Sequence, residues 1–174
     1  MIIQPTSLHG AFTIDVCKHE DNRGFFARTF CVETFKNHHL ETVFMQQNMS
    51  VSNKKHTLRG MHYQHQPHGE VKLIRCLRGA ILDVIIDLNP NSRSFLNHYS
   101  VELSESNNRQ LYVPTGFAHG FISLTDNVEV SYLVSANYTP ESEGGIRWND
   151  PKFKIDWPTE APIISEKDRN WPDF

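Results

Sequence analysis

The stretch VKLIRCLRGAILDVIIDL, Val71 to Leu88, reads as two strands around a turn at Arg78-Gly79. Val71 to Leu77 alternates and Ala80 to Leu88 returns, with the period of two that sends successive side chains to opposite faces of a strand. Lys72, Ile74 and Cys76 share a face of the first run. On the second, Leu82, Val84, Ile86 and Leu88 oppose Asp83 and Asp87. The pattern predicts a β-hairpin at the centre of the chain.

Similar short runs extend outward from it. FTIDV puts Phe12, Ile14 and Val16 on one face; HEDNRG reads as a turn and FFARTF as the return strand. TLRGMHYQ, Thr57 to Gln64, suits a strand, and simple alternation puts Arg59 and His62 on opposite faces unless Gly60 bends it. Downstream, QLYVP stops at Pro114 and GFISL follows. VEVSYLVS then sets Val128, Val130, Tyr132 and Val134 against Glu129 and Ser131. VETFKNHHL and SEKD are the helix candidates, both short. The tail from Asn149, rich in Pro, Asp and Trp, is expected to wrap the outside. Many short strands at close spacing point to an all-β sandwich or barrel. No repeat or linker interrupts them, so residues 1–174 read as a single domain.

The totals limit the function. The chain has 174 residues, 39% of them apolar, enough for one sizeable core. No run approaches the roughly 20 apolar residues of a spanning helix, and the start lacks the basic, then apolar, profile of a signal peptide. A net charge of -3 gives no pull toward nucleic acid or acidic membranes. Cys17, Cys31 and Cys76 are odd in number and form no C-x-x-C pair, which suits a reduced compartment, the cytoplasm. Glycosylation-type triplets at Asn48 and Asn137 are read as chance.

Three polar side chains fall where a strand usually buries something apolar. Tyr132 would be an ordinary core tyrosine if alone. Lys72 would be a strand-end lysine reaching for solvent, and His62 a satisfied histidine. A further motif changes their weight. PTGFAH, Pro114 to His119, matches the P-x-G-x-x-H pattern of cupins, small jelly-roll barrels. The companion metal-binding pattern maps onto MHYQHQPHGEVKLIRCLRG with Gln64 at its second histidine and Lys72 at its glutamate. An ammonium in that position repels a divalent cation, so the metal centre reads as replaced. His65, His68 and Glu70 could supply other donors, which keeps a metal-dependent cupin enzyme as the alternative.

At this point LRGMHYQ, KLIRCLRGAILDVIIDL, LYVPTGFAHGF, YTPESEGGIRWNDP and ISEKD together resemble the dTDP-4-dehydrorhamnose 3,5-epimerases. The resemblance runs in order from Asp21 to Asp168. It implies a cupin-like jelly-roll barrel with short peripheral helices, a homodimer, no cofactor, and a nucleotide-linked 4-keto-6-deoxy sugar as substrate. It also implies roles. His62 is the general base and Asp168 its partner. Lys72 stabilises an enolate, and Tyr132 is the acid on the opposite face. Arg23 and Arg59 meet the diphosphate. Gln46, Asn48, His119 and Tyr138 line the substrate site, with Asp83 in support.

The chemistry suits these roles. A ketone at C4 acidifies the hydrogens at C3 and C5, because either carbanion delocalises onto the carbonyl oxygen. A histidine with an ordinary pKa of about 6.5 can take such a proton at neutral pH. One departure stands out: members of the family often carry a glutamate after R-G-F-F-x, and this chain has Arg28. An arginine only donates hydrogen bonds, so it could meet cytosine acceptors rather than the N3–H of thymine, or lie on the surface without a role. An epimerase of a CDP-linked sugar, a related sugar ketoisomerase and a non-catalytic sugar-nucleotide binder complete the alternatives.

Overall fold

The computed structural model describes residues 1–174. Its strands are β1 (Ile2–Pro5), β2 (Phe12–Asp15), β3 (His19–Asp21), β4 (Gly24–Phe26), β5 (Gln46–Ser52), β6 (Thr57–Gln64) and β7 (Lys72–Arg78) in the first half. The second half holds β8 (Ala80–Asp87), β9 (His98–Ser104), β10 (Gln110–Val113), β11 (Phe117–Ser123), β12 (Val128–Val134), β13 (Glu143–Gly145) and β14 (Ile163–Ile164). Two short helices accompany them, α1 (Val32–Asn37) and α2 (Glu166–Arg169). One sheet has the order β1-β2-β10-β7-β12-β5 and the other β13-β6-β11-β8-β9, with β14 added parallel to β6. This is the all-β jelly-roll sandwich expected from the strand spacing and the cupin-type motif, and no helix is long and apolar enough to cross a membrane.

The central hairpin is not a hairpin. β7 pairs with β10 and β12, whereas β8 pairs with β9 and β11 in the other sheet. The Arg78-Gly79 turn carries the chain from one layer to the next. Gly79 takes a φ of +71°, and a side chain there would run into Thr125 and Val128. Alternation specifies which face a residue occupies; it does not specify the partner strand. Between the layers, Ile74 and Cys76 of β7 meet Ile81 and Ile85 of β8 in a core of 14 buried residues. The face of β8 bearing Val84 and Ile86 points away from that core. There Met61, Ile146 and Phe153 cover it, with Ile155 and Trp157 packed alongside, so the tail does wrap the outside. β8 is thus buried on both faces, which accounts for its nearly unbroken apolar run.

Three other readings differ from the structure. FFARTF contributes only Phe25 and Phe26 to a strand, and β3 and β4 form a separate two-stranded ribbon with every residue exposed. β5, QQNMSVS, was not apparent because its pattern is inverted. Met49 and Val51 are exposed, while Gln46, Asn48 and Ser50 turn inward. β9, HYSVELS, pairs along the edge of β8 and was likewise hidden among polar residues.

Candidate active site

A cavity opens between the two sheets. One lobe, about 440 Å³, is walled by Gln46, Asn48, Glu70, Tyr138 and Glu143. A second, about 310 Å³, is walled by Arg59, His119, Phe121 and Asp168. His62, Lys72 and Tyr132 line both, so the lobes meet at these three side chains. Each lobe falls in the size range of small-molecule sites.

One wall follows from register. In the first sheet Tyr132 lies opposite Ile74 on β7 and Asn48 on β5, and Val134 lies opposite Lys72 and Gln46. Directly paired residues share a face, so Gln46, Asn48, Tyr132 and Lys72 necessarily point into the same space. The other wall depends on an irregularity. β11 pairs His119 with His62 and Phe121 with Arg59, so two steps along β11 match three along β6. The extra residue is a β-bulge at Gly60-Met61, and it reverses the alternation. Arg59 and His62, three apart and expected on opposite faces, therefore both reach the cavity. Gly60 has a φ of +134°, and a Cβ there would lie 2.5 Å from the Gly120 Cα and 3.0 Å from the His119 carbonyl oxygen.

Asp168 connects the bulge to the histidine. Ser165 caps α2 by accepting the Asp168 N–H at 3.1 Å, which fixes the side chain's starting point. From there one carboxylate oxygen accepts from His62 Nε2 at 2.7 Å, and the other accepts the Gly60 N–H at 3.2 Å. Burial disfavours the Asp168 anion, but the His62 hydrogen bond, the imidazole's charge and the Gly60 amide outweigh it and hold the carboxyl below the ordinary aspartate range. An ionised Asp168 requires a proton on His62 Nε2. Nδ1 is then the ring nitrogen with a free lone pair.

Across the cavity, burial pushes the Tyr132 hydroxyl above the usual tyrosine range; the Glu70 carboxylate adds to this and Arg59 partly opposes it. Tyr132 is therefore a phenol, a proton donor, at neutral pH. Lys72 is only 9% exposed, with Nζ 3.0 Å from Glu70 Oε1. His119 Nε2 lies 3.0 Å from both oxygens of Asp83, which is fully buried behind it rather than in the cavity wall. The Arg59 guanidinium donates to the Val51 carbonyl at 2.9 Å. Tyr138 sits at the lip, its hydroxyl donating to Glu143 at 2.9 Å, and Lys167 closes on the same carboxylate. Burial works against the Glu143 anion, yet the bonds from Lys167 and Tyr138 keep its pKa lowered.

Nine of the twelve side chains singled out in the sequence line this cavity; Asp83 stands behind it, and Arg23 and Arg28 do not reach it. Arg23 is on the exposed ribbon, paired with Asp21 at 2.6 Å, and Arg28 is exposed just beyond. Glu143 carries no signal in the sequence, and Glu70 stands there only as a possible metal donor. Its charge two residues before a buried lysine was the available signal. The donors raised for a metal centre do not converge: His65 and His68 are exposed, Glu70 is engaged by Lys72, and no group of three or more His, Cys, Asp or Glu side chains is arranged around a common point. What the cavity offers is an imidazole on one sheet, a phenol on the other and a lysine side chain beside them.

The chain is similar to known sugar-nucleotide epimerases. The dTDP-4-dehydrorhamnose 3,5-epimerase from Methanothermobacter thermautotrophicus is 45% identical over 170 residues, 95% of this chain and 90% of the relative. A Bacillus anthracis dTDP-4-dehydrorhamnose 3,5-epimerase, solved with TDP and PPi bound, superimposes with a TM-score of 0.97 at 37% identity, covering 99% of each chain. A Legionella pneumophila dTDP-6-deoxy-D-glucose-3,5-epimerase in complex with dTDP-4-keto-L-rhamnose gives 0.93 at 36%, covering 99% of this chain and 92% of that one. The family model described as dTDP-4-dehydrorhamnose 3,5-epimerase matches residues 5–174, and the chain belongs to that family.

Proposed function

We propose that the protein inverts C3 and/or C5 of a dTDP-linked 4-keto-6-deoxyhexose, dTDP-4-dehydro-6-deoxyglucose, by proton removal and return through an enolate. The observation that carries this is the placement of His62 and Tyr132 on opposite sheets of one cavity, with Lys72 lining the same two lobes. His62 Nδ1 takes the proton from the carbon next to the carbonyl, and the C–H electron pair delocalises onto the C4 oxygen. Lys72 stabilises that oxygen as charge develops, an effect worth about 2.7–4 kcal/mol where a comparable donor has been removed. Tyr132 then gives a proton to the opposite face of the carbon. Both groups reset by exchange with water. Asp168 holds the imidazole tautomer.

Gln46, Asn48, His119 and Tyr138 are assigned to the substrate, with Asp83 supporting His119, and Arg59 to the diphosphate. Arg23 and Arg28 need a second copy. They stand outside their own chain's cavity, on and beside a ribbon that exposes Phe25 and Phe26 at 48% and 67%. A homodimer that covers these rings and delivers the ribbon to the partner's cavity accounts for both features. The relatives' dTDP-linked names favour dTDP over the CDP-linked alternative that Arg28 raises. Three free cysteines suit a cytoplasmic setting.

The reading is tested by incubating enzyme and substrate in deuterium oxide and following C3 and C5 by NMR. Tyr132→Phe, which leaves the base in place, is expected to keep exchange at one or both carbons while impairing inversion. Equal loss of exchange and inversion would assign Tyr132 to binding instead. Treatment with a strong chelator is expected to leave turnover unchanged; activity lost to chelator and restored by Zn, Fe or Ni would return the metal-dependent alternative.

A further inference from the structure

Glu70 has no part in the roles assigned above, yet it is one of the most constrained side chains in the cavity. Its two carboxylate oxygens face two different partners. Oε1 lies 3.0 Å from Lys72 Nζ, and Oε2 accepts from Gln64 Nε2 at 3.3 Å. The Lys72 and Glu70 side chains are 11% and 14% exposed, so water competes weakly for either. Gln64 is itself immobilised. It is 6% exposed, its amide nitrogen also lies 3.0 Å from the His68 carbonyl and 3.3 Å from that of Asn137, so its two hydrogens are shared among three acceptors, and its amide oxygen accepts the Thr139 N–H at 2.7 Å. One amide thus ties β6 to the loop before β7 and the loop after β12, and Glu70 hangs from it.

We propose that Glu70 is the positioning residue of this site: anchored by Gln64, its carboxylate holds the Lys72 ammonium against the cavity wall beside Tyr132, so that the lysine is already in place when charge appears on the substrate oxygen. The inference rests on the roles given to Lys72 and Tyr132 above. A free lysine has four rotatable side-chain bonds and strong hydration, and ordering it only in the transition state would add to the barrier. The pair removes that cost in advance, because one ammonium proton engages Glu70 and two remain for the substrate.

The same carboxylate has a second effect through charge. Tyr132 faces Lys72 from β7, Arg59 and His62 from β6, His119 from β11 and Asp168 from α2, with Glu70 alongside. Burial is the main reason its hydroxyl keeps the proton, and Glu70 reinforces it. Glutamine at position 70 can still accept from Lys72, but it carries no charge. The two effects therefore separate.

The experiment measures kcat, KM and the pH dependence of kcat for Glu70→Ala and Glu70→Gln, each with deuterium exchange at C3 and C5. Glu70→Ala is expected to lose kcat on the order of 100-fold, as a misplacement of about 1 Å can do, with KM changed little. Glu70→Gln is expected to recover most of that kcat, yet its basic limb should move to lower pH, because Tyr132 loses the carboxylate that raises its pKa. Wild-type kcat and an unmoved basic limb in both variants would overturn the proposal. So would an equal loss in both with the wild-type pH profile, the signature of a merely structural role. Failure of the underlying site reading looks different: Lys72→Ala would then leave kcat intact whatever Glu70 does.

Discussion

Replacing His62 with alanine is expected to abolish deuterium incorporation at C3 and C5 and to lower kcat by about 10²–10⁴-fold, the range over which a positioned acid or base contributes. The expectation follows from position. His62 and His119 each give Nε2 to an aspartate, but the His62 side chain is 34% exposed and lines both lobes, whereas that of His119 is 10% exposed and lines one, and Glu70 is committed to Lys72. The fold should survive, because the His62 side chain is 34% exposed and its removal leaves no closed void. One stability change is nonetheless expected. Asp168 has a lowered pKa in the folded protein, so its ionised form contributes stability above the ordinary aspartate range, and that contribution fades as pH falls through the lowered value. Losing the His62 hydrogen bond brings the Asp168 pKa back up. The acid unfolding midpoint of His62→Ala should therefore lie at higher pH than that of the wild type. Full epimerisation by this variant would mean that the base has been misassigned.

The strands were legible because alternation is local. FTIDV and VEVSYLVS carry their faces in their own residues and the structure makes strands of them, whereas QLYV and the strand around GFISL, which begins earlier at Phe117, are buried throughout. What alternation lacks is partner identity. β7 and β8, adjacent in sequence and joined by one glycine, belong to different sheets, each paired on both edges with strands distant in sequence. Of the cavity, the residues on regular strands were readable: Lys72 beside Ile74 and Cys76, and Tyr132 beside Val128 and Val130, both stood out as polar groups on apolar faces. β5 escaped because a strand that lines a polar cavity looks like a surface strand seen from the wrong side, with Met49 outside and Asn48 inside. Arg23 and Arg28 came from resemblance alone, and no property of a single chain brings them to its own cavity.

The bulge is the least legible feature and carries the largest consequence, and a substitution at Gly60 tests it directly. Gly60→Ala is expected to destabilise the protein and to remove activity together. Two effects act at one atom. A φ of +134° is outside the range that side chains adopt readily, and the new Cβ meets backbone, the Gly120 Cα and the His119 carbonyl, rather than a side chain able to move aside. Backbone strain and overpacking each cost about 1–3 kcal/mol, which should appear as a lower denaturant midpoint. Relief requires β6 to part from β11 or to give up the extra residue. Either change alters the Gly60 N–H that Asp168 accepts, and loss of the bulge would return His62 and Arg59 to opposite faces. Activity should then fall further than the residual folded fraction explains. Gly69→Ala is the matched control: its φ is not positive, and its new Cβ meets only the movable amide of Gln66, so near wild-type stability is expected. Wild-type stability and turnover in Gly60→Ala would show that the bulge does not govern how His62 reaches the cavity, and the geometry proposed for proton transfer would lose its structural basis.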